Sequence, residues 1–576
     1  MHLVHLSALP LTGIVILSSS LRNDHKTTIV YLVYVKHFEI LIWSPKGWFV
    51  TMNTTIYAKK GMVATSQPLA AEVGLEILKK GGNAVDAAIA TAACLTVVEP
   101  TANGIGGDAF AIVWLNGELH GLNASGPAPK SISIENVRAQ GHETMPTFGW
   151  LPVTVPGQPA AWATLAKRFG KLPLTETLQP AIKIAEEGYL VTPVVAKYWQ
   201  RTYDLYSTKM DKTEFAEWYR IFAPNGRAPK VGEIMKFPDH AKTLAEIAKT
   251  NAASFYHGEL AAKIVAESQK KSGYLQAIDL AEYAPEWVTP LSVNYRGYDV
   301  WELPPNGQGI IALSALNILK HFDFSTAEPA TIIHQQIEAL KLAFTAGKNA
   351  ISDPETTDFN QVTKLLSSDF ALSQAKTITD QAANPEPTDL AKGGTVYLAT
   401  ADTAGNMVSY IQSNYMGFGS GVVIPNTGIA MQNRGADFSL DPTHANALTG
   451  GKKTYHTIIP GFLTKDGQAV GPFGVMGGYL QPQGHVQLLV NTIDFKLPPQ
   501  AALDAPRFHW VEKKTVELEA EYPTELTAQL TKKGHDIQAL NDKSFFGRGQ
   551  IIWRNPETGE LAGGTEKRTD GHIAAY

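Results

Sequence analysis

Apolar positions change their spacing several times along this chain, and each change marks an element. Leu69, Ala70, Val73 and Ile77 fall three and four apart, the period of one helix face. Ser66-Gln67-Pro68 opens that helix, since serine can cap and proline is tolerated in the first turn, and Gly81-Gly82 stops it. Residues 83–98 are apolar on nearly all sides, which predicts a helix buried all round. Further helices are predicted over 160–168, around 176–187, over 310–319 and over 331–349, the last with Ile333, Ile337, Leu340 and Phe344 along one side. Phe110-Ala111-Ile112-Val113-Trp114 reads as a strand. Residues 199–234 are rich in aromatic and charged side chains without a clear period, and no site is assigned there.

One hairpin stands apart. Gly393-Gly394 releases into a strand at 395–400, Ala404-Gly405-Asn406 turns the chain, and 407–413 returns as a second strand. Any threonine heading a strand looks like Thr395, but the chemistry open to it is unusual. A threonine hydroxyl is a poor nucleophile until a base takes its proton. An α-amino group on the same residue can be that base, because its pKa lies near neutrality, about 7.7–8. An internal threonine gains such a group only if the chain is cut before it, here between Gly394 and Thr395. The two glycines permit the strained backbone that internal attack requires. Residues 377–392 are polar, include Asn384-Pro385-Glu386-Pro387, and read as an exposed linker leading to the cut.

Size and composition narrow the class. The chain has 576 residues, 44% apolar and 18% charged, ordinary for a globular protein with a large core. A net charge of −5 gives no basic patch for nucleic acid. Cys94, the single cysteine, lies in an apolar run and reads as a small buried hydrophobe, so no intramolecular disulfide demands an oxidising compartment. The 83–98 run has polar flanks and is short for a membrane span. No G-x-S-x-G, H-E-x-x-H, Cys/His cluster or EF-hand loop is present, so no metal and no cofactor is expected. The glycines of 104–108 and of Gly450-Gly451-Lys452-Lys453-Thr454 imitate phosphate loops, but their spacing is wrong.

Several further stretches share one order with a known family. They are Gly81-Gly82-Asn83-Ala84-Val85-Asp86-Ala87-Ala88, Gly104-Ile105-Gly106-Gly107-Asp108, Val153-Thr154-Val155-Pro156-Gly157, the 393–400 strand, Asn433-Arg434-Gly435-Ala436-Asp437-Phe438-Ser439, Gly477-Gly478 and Ala505-Pro506-Arg507-Phe508. In this order, from about Ala58 to the C-terminus, they resemble the γ-glutamyltranspeptidases, N-terminal-nucleophile hydrolases that mature into a large and a small subunit. The resemblance implies an α+β fold of four layers, two antiparallel sheets face to face between helices. It implies a large subunit over 52–394 and a small subunit over 395–576, interleaved as one domain and held as a heterodimer, with a dimer of these left open. Residues 1–51 match nothing in the family and read as a leader or as sequence before a true start at Met52. Their apolar runs, at 9–17 and 29–35, suit neither a secretory signal nor a membrane span. The expected location is cytoplasmic.

The resemblance also implies roles. Thr395 attacks an amide carbonyl, and Ser413, eighteen residues on, hydrogen-bonds the nucleophile. Gly477 and Gly478 donate backbone N–H groups to the oxyanion, commonly the largest catalytic effect, roughly 3–4 kcal/mol for one donor. Asp437 matches the carboxylate that holds a substrate α-ammonium. Departures from the family pattern alter substrate recognition. No arginine stands near Ala124-Ser125-Gly126-Pro127, where one should grip the substrate carboxylate. His456-Thr457 replaces a serine pair, Tyr415 an asparagine and Arg434 a glutamine. The segment between residues 439 and 456 is too short for the family's lid. Arg434 either replaces the missing arginine, since a guanidinium fork suits a carboxylate, or serves as an ordinary ion-pair residue. The expected activity is a γ-glutamyltransferase-like amidohydrolase that acts on γ-glutamyl compounds such as glutathione and passes the acyl group mainly to water. A cephalosporin or glutaryl acylase-type amidase, or a non-catalytic relative, stays open.

Overall fold

The computed structural model describes residues 54–348, 350–385, 390 and 393–576 in full, with the backbone of four short strands between Gly13 and Met52. The reading of 1–51 as a leader, and Glu386-Pro387 of the linker, therefore lie outside the fully described residues.

Two seven-stranded antiparallel sheets form the centre. The front sheet runs, edge to edge, Glu286–Val288, Glu118–Ala124, Asp108–Leu115, Met407–Tyr415, Gly394–Ala401, Met62–Thr65 and His572–Ala575. The rear sheet runs Leu291–Tyr295, Tyr298–Glu302, Gly461–Lys465, Gln468–Met476, Arg548–Arg554, Leu561–Thr565 and Ile56–Ala58. Each sheet draws strands from both sides of the Gly394–Thr395 bond.

Alternation along the strands sends one set of side chains between the sheets and the other toward helices. Phe110, Ile112, Tyr397, Ala399, Ile411, Phe462 and Ile552 form the layer between the sheets. Ala109, Ala111, Val113, Val396, Leu398, Val408 and Tyr410 face the other way, into the core under Ala84–Val98 and Gln158–Phe169. Behind the rear sheet, Gly309–Leu319, Pro329–Lys348 and Leu480–Leu489 bury a second helical layer with Val300, Leu463, Phe473, Val475 and Ile551. The expected order of helix, sheet, sheet, helix is the one observed.

Every residue of Ala84–Val98 is buried. Its six alanines let the helix approach the sheet closely, and Asn83 with Asp86 forms a reciprocal capping box. The first helix, Pro68–Lys79, differs from expectation at its start. Ser66 does not cap it; its hydroxyl is taken by Glu99, and Gln67 holds the cap position without a side-chain bond. Leu69 is exposed, so the buried face is set by Ala70, Ala71, Val73, Leu75, Ile77 and Leu78. The aperiodic 199–234 stretch holds Ala216–Phe222 and most of Pro193–Lys209. Trp199, Tyr206, Trp218 and Phe222 converge on Phe418, and aromatic packing from several directions erases a single-faced pattern.

The 377–385 part of the linker is less free than its polarity suggests. His334 Nε2 bonds Thr379 O at 2.7 Å, Ala382 N donates to Lys533 O at 2.6 Å, and Ala383 meets the Glu338–Lys341 ion pair through both N and O.

Candidate active site

Gly394–Ala401 and Met407–Tyr415 pair in a register that slips by one residue at Thr395: Gly394 faces Tyr415, but Val396 faces Gln412. The extra residue on the second strand is a β-bulge, which bends the strand and re-aims its side chains. Tyr415 takes up the bend with φ +76°, a left-handed conformation costing a non-glycine residue roughly 1–2 kcal/mol. The bulge delivers Ser413 onto Thr395. Thr395 Oγ1 donates to Ser413 Oγ at 3.2 Å, Ser413 Oγ donates to the Gly394 carbonyl at 2.7 Å, and Tyr415 N donates to Ser413 Oγ at 2.7 Å. Thr395 and Ser413 are both almost fully buried. In this unbroken chain the Thr395 nitrogen is still a peptide amide.

Gly477-Gly478 ends the Gln468–Met476 strand and precedes the Leu480–Leu489 helix. Both glycines hold positive φ, +141° and +64°, which sets the turn in a form that side chains resist. The turn lies against the Gly393-Gly394 step: a β-carbon on Gly393 would lie 3.4 Å from Gly478 Cα. Gln308, at the head of Gly309–Leu319, fixes the turn from behind. Its Nε2 donates to Gly478 O at 3.0 Å and Thr457 O at 2.6 Å, and its Oε1 accepts from Tyr455 at 2.9 Å.

Arg434 and Asp437 open and close the 3₁₀ turn Arg434–Asp437. Arg434 is buried, donates from Nη1 to Thr457 Oγ1 at 2.8 Å, and lies 4.1 Å from the Tyr415 ring centre. Its Nε and Nη2 have no partner among the described residues. Asp437 Oδ1 accepts from Tyr415 at 3.2 Å and Tyr479 at 3.0 Å, whereas Oδ2 is buried without a partner among the described residues. Burial raises the Asp437 carboxyl pKa, opposed first by Arg434 and then by the tyrosine hydroxyls. Unpaired buried polar atoms are costly, and two unlike ones on one short turn suit a ligand carrying an acceptor and a donor.

His456 is turned inward. Its Nε2 meets Asp108 Oδ2 at 3.1 Å, with both side chains fully enclosed. Burial pushes Asp108 up to about 7 despite Arg434, and pushes His456 well below its ordinary value. Asp108 sits opposite Ser413 in the sheet, so the pair lies beneath the site. In place of the missing arginine, Asn123 and Ser125 form a buried polar knot with Asn306.

Sequence reasoning brought Thr395, Ser413, Gly477, Gly478, Arg434, Thr457, Tyr415 and Asp437 to one place, and they are together. It missed Gln308, Tyr479 and Tyr455. A polar residue heading an otherwise apolar helix was the available signal for Gln308, and position next to Gly478 for Tyr479. Among the described residues, His334, Glu338 and His535 bring their donor atoms close enough to hold a cation. Lys341 Nζ at 2.8 Å and Ala383 N at 3.0 Å already hold the Glu338 carboxylate, and Lys533 and Lys514 add positive charge around His535, so the group is a poor fit to a metal.

The gamma-glutamyltranspeptidase family model matches residues 70–576. The chain belongs to this family. It is 34% identical to the glutathione hydrolase-like YwrD proenzyme of Bacillus subtilis over 534 residues, 90% of this chain and 99% of that one. It is 33% identical to the oxamate amidohydrolase proenzyme of Klebsiella pneumoniae, over 91% of this chain and all of that one. Among solved structures, the cephalosporin acylase of Bacillus halodurans superposes with a TM-score of 0.89 at 58% identity, covering 93% of this chain and 99% of that one. As a γ-glutamyltranspeptidase-family member the chain is an enzyme of the N-terminal-nucleophile hydrolases, with amidohydrolase chemistry. No helix among the described residues is long and apolar enough to cross a membrane.

Proposed function

We propose that this chain is a self-cleaving amidohydrolase whose nucleophile is Thr395. The carrying observation is the relay from Thr395 Oγ1 to Ser413 Oγ and on to the Gly394 carbonyl. The Ser413 proton on that oxygen makes the Gly394 carbon more electrophilic, and the Thr395 hydroxyl is adjacent. Attack of Thr395 Oγ1 on that carbon, with the proton passing to the Thr395 nitrogen as the C–N bond breaks, converts the amide to an ester. Water then cleaves the ester, returns the hydroxyl and leaves Thr395 with a free amine. That amine, with a pKa near neutrality, is the base for later turnovers.

In turnover Thr395 Oγ1 attacks the substrate amide while N–H groups at Gly477-Gly478 receive the oxyanion. The leaving amine takes the proton, and water releases the acid. Arg434 Nε and Nη2 take a substrate carboxylate, and Asp437 Oδ2 takes an ammonium where the donor has one. This favours donors with an acidic side, γ-glutamyl compounds and glutaryl-type amides. Water is the favoured acceptor, because the 439–456 segment folds back on itself. Ser439 N donates to Asn446 O and Leu448 N to Ser439 O, both at 2.9 Å, and Asn446 Nδ2 ties the fold to Asp437 O at 2.7 Å.

The test is a denaturing gel joined to a donor panel. Purified protein should run as two pieces, the smaller beginning at Thr395, and Thr395→Ala as one inactive piece. A single unbroken, fully active chain would sink the proposal. Glutathione, glutamine, glutaryl amides and simple acyl amides then rank the donors.

A further inference from the structure

Beside the nucleophile, a buried ion pair that this chemistry does not use joins the end of the Ala84–Val98 helix to the rear-sheet strand Arg548–Arg554. Glu99 and Arg548 lie 449 positions apart, and Arg548 Nη1 approaches Glu99 Oε1 at 3.2 Å with only 1% and 7% of the two residues exposed. Each end is tied further. The Ser66 hydroxyl bonds the other Glu99 oxygen, and Arg548 Nε lies 3.1 Å from Met476 Sδ. The Arg548 guanidinium stacks 4.7 Å from the centre of the Tyr198 ring.

The two ends reach opposite banks of the candidate site. On the Glu99 side, Ala102 N donates to Glu99 O at 3.3 Å and Asn103 Nδ2 donates to it at 2.8 Å, forming a tight turn. That turn grips the strand carrying Ser413: Gln412 Nε2 donates to Asn103 Oδ1 at 2.8 Å, and Asn414 N to Ala102 O at 3.4 Å. It also backs Gly394, where an added β-carbon would lie 3.5 Å from Ala102 Cα and 3.6 Å from Thr101 O. On the Arg548 side, Arg548 pairs in register with Met476, the residue before Gly477. A β-carbon on Gly477 would lie 3.3 Å from Gly547 Cα.

We infer that Glu99 and Arg548 are positioning residues, a cross-sheet tie that sets the spacing between the Thr395–Ser413 bank and the Gly477-Gly478 bank. The inference rests on Thr395 as nucleophile and Gly477-Gly478 as the oxyanion turn. Apolar packing between the sheets is non-directional and tolerates small slips. Oxyanion stabilisation does not, since a misplacement of about 1 Å at a reacting centre can cost roughly a hundredfold in rate. A directional, charge-assisted contact anchored to both banks supplies the missing constraint.

The test compares Arg548→Met, Arg548→Lys and Glu99→Gln in the full chain, with γ-glutamyl-p-nitroanilide and glutaryl-p-nitroanilide as donors and thermal melting as the fold check. Arg548→Met and Glu99→Gln should lower kcat at least tenfold while KM stays within twofold. Arg548→Lys keeps a charge opposite Glu99 without reaching Met476 as well, and should recover part of the loss. A folded Arg548→Met with wild-type kcat overturns the inference, even if its melting temperature falls. Should Arg548→Met fail to accumulate as folded protein, the lysine variant decides: a threefold or greater fall in kcat at constant KM supports the tie, and wild-type kcat overturns it. Thr395→Ala separates the two ideas. If it stays active, the nucleophile assignment fails; if it is dead while the Arg548 variants are normal, only the tie fails.

Discussion

The Ser413 hydroxyl points its proton at the carbonyl oxygen of Gly394, 2.7 Å away, while accepting from Thr395 and from its own strand at Tyr415. All of its hydrogen-bonding directions are thus committed before any substrate arrives. Ser413→Ala should keep the fold, since a small residue replaces a small buried one, but leave the Gly394 carbonyl without its donor. Losing one donor to a developing oxyanion costs roughly a hundredfold or more. Self-cleavage of Ser413→Ala, followed as band conversion on denaturing gels, should slow by about that factor. Cleavage at the wild-type rate would remove Ser413 from the relay.

Arg434 is the second test. Replacing it with methionine keeps the bulk over Tyr415 and removes the donors. A hydrogen bond to a charged group is worth about 1.5–3 kcal/mol, so kcat/KM for donors with a free carboxylate should fall about ten- to a hundredfold. Uncharged acyl amides should lose far less. Equal losses on both would mean that Arg434 holds the pocket together and does not read the substrate.

Asp437 sets a pH limit. Burial raises its pKa, and bonds from Tyr479 and Tyr415 bring it back down because they favour the charged form. Tyr479→Phe removes one such bond, so the Asp437 pKa rises further. For donors carrying an α-ammonium, the acid limb of kcat/KM should move to higher pH. For donors lacking that group the limb should stay in place, and a common shift would deny Asp437 its role.

The fold was legible wherever one physical demand dominated. Residues 83–98 are apolar all round because helices and sheet enclose them, and the 395–413 hairpin carries its turn between two strands buried on both faces. The candidate site was legible where a residue's chemistry is unusual, as at Gly394-Thr395 or an Asp beside an Arg. Gln308 was not, because its importance comes from bridging Gly478 O and Thr457 O, about 170 and 150 positions away. The Tyr415 bulge was equally hidden, since a register slip belongs to two strands together and leaves no mark in either. Ser66 looked like a helix cap because serine caps locally, but a buried carboxylate at Glu99 competed for the hydroxyl and took it.

Asp108 and His456 make a prediction about stability in which two slopes oppose. The folded Asp108 titrates near 7, above an unfolded carboxyl near 4, so the folded state holds an extra proton between those values. This contribution to stability is complete below about pH 4 and is lost as pH rises through 7. His456 is held neutral when folded, its pKa well below the ordinary 6.5, so the unfolded state binds the extra proton on acidification and stability falls as pH drops below about 6.5. Below about pH 6.5, wherever both groups bind protons differently in the folded and unfolded states, the two largely cancel, each being worth about 1.4 kcal/mol per pH unit at most. Asp108→Asn keeps an acceptor for His456 but deletes one slope. Its melting temperature should therefore fall on acidification below pH 6.5 more steeply than that of the wild type, and His456→Gln should instead lose stability as pH rises from 4 to 7. Parallel melting curves for all three proteins would show that the pair does not exchange its proton on unfolding.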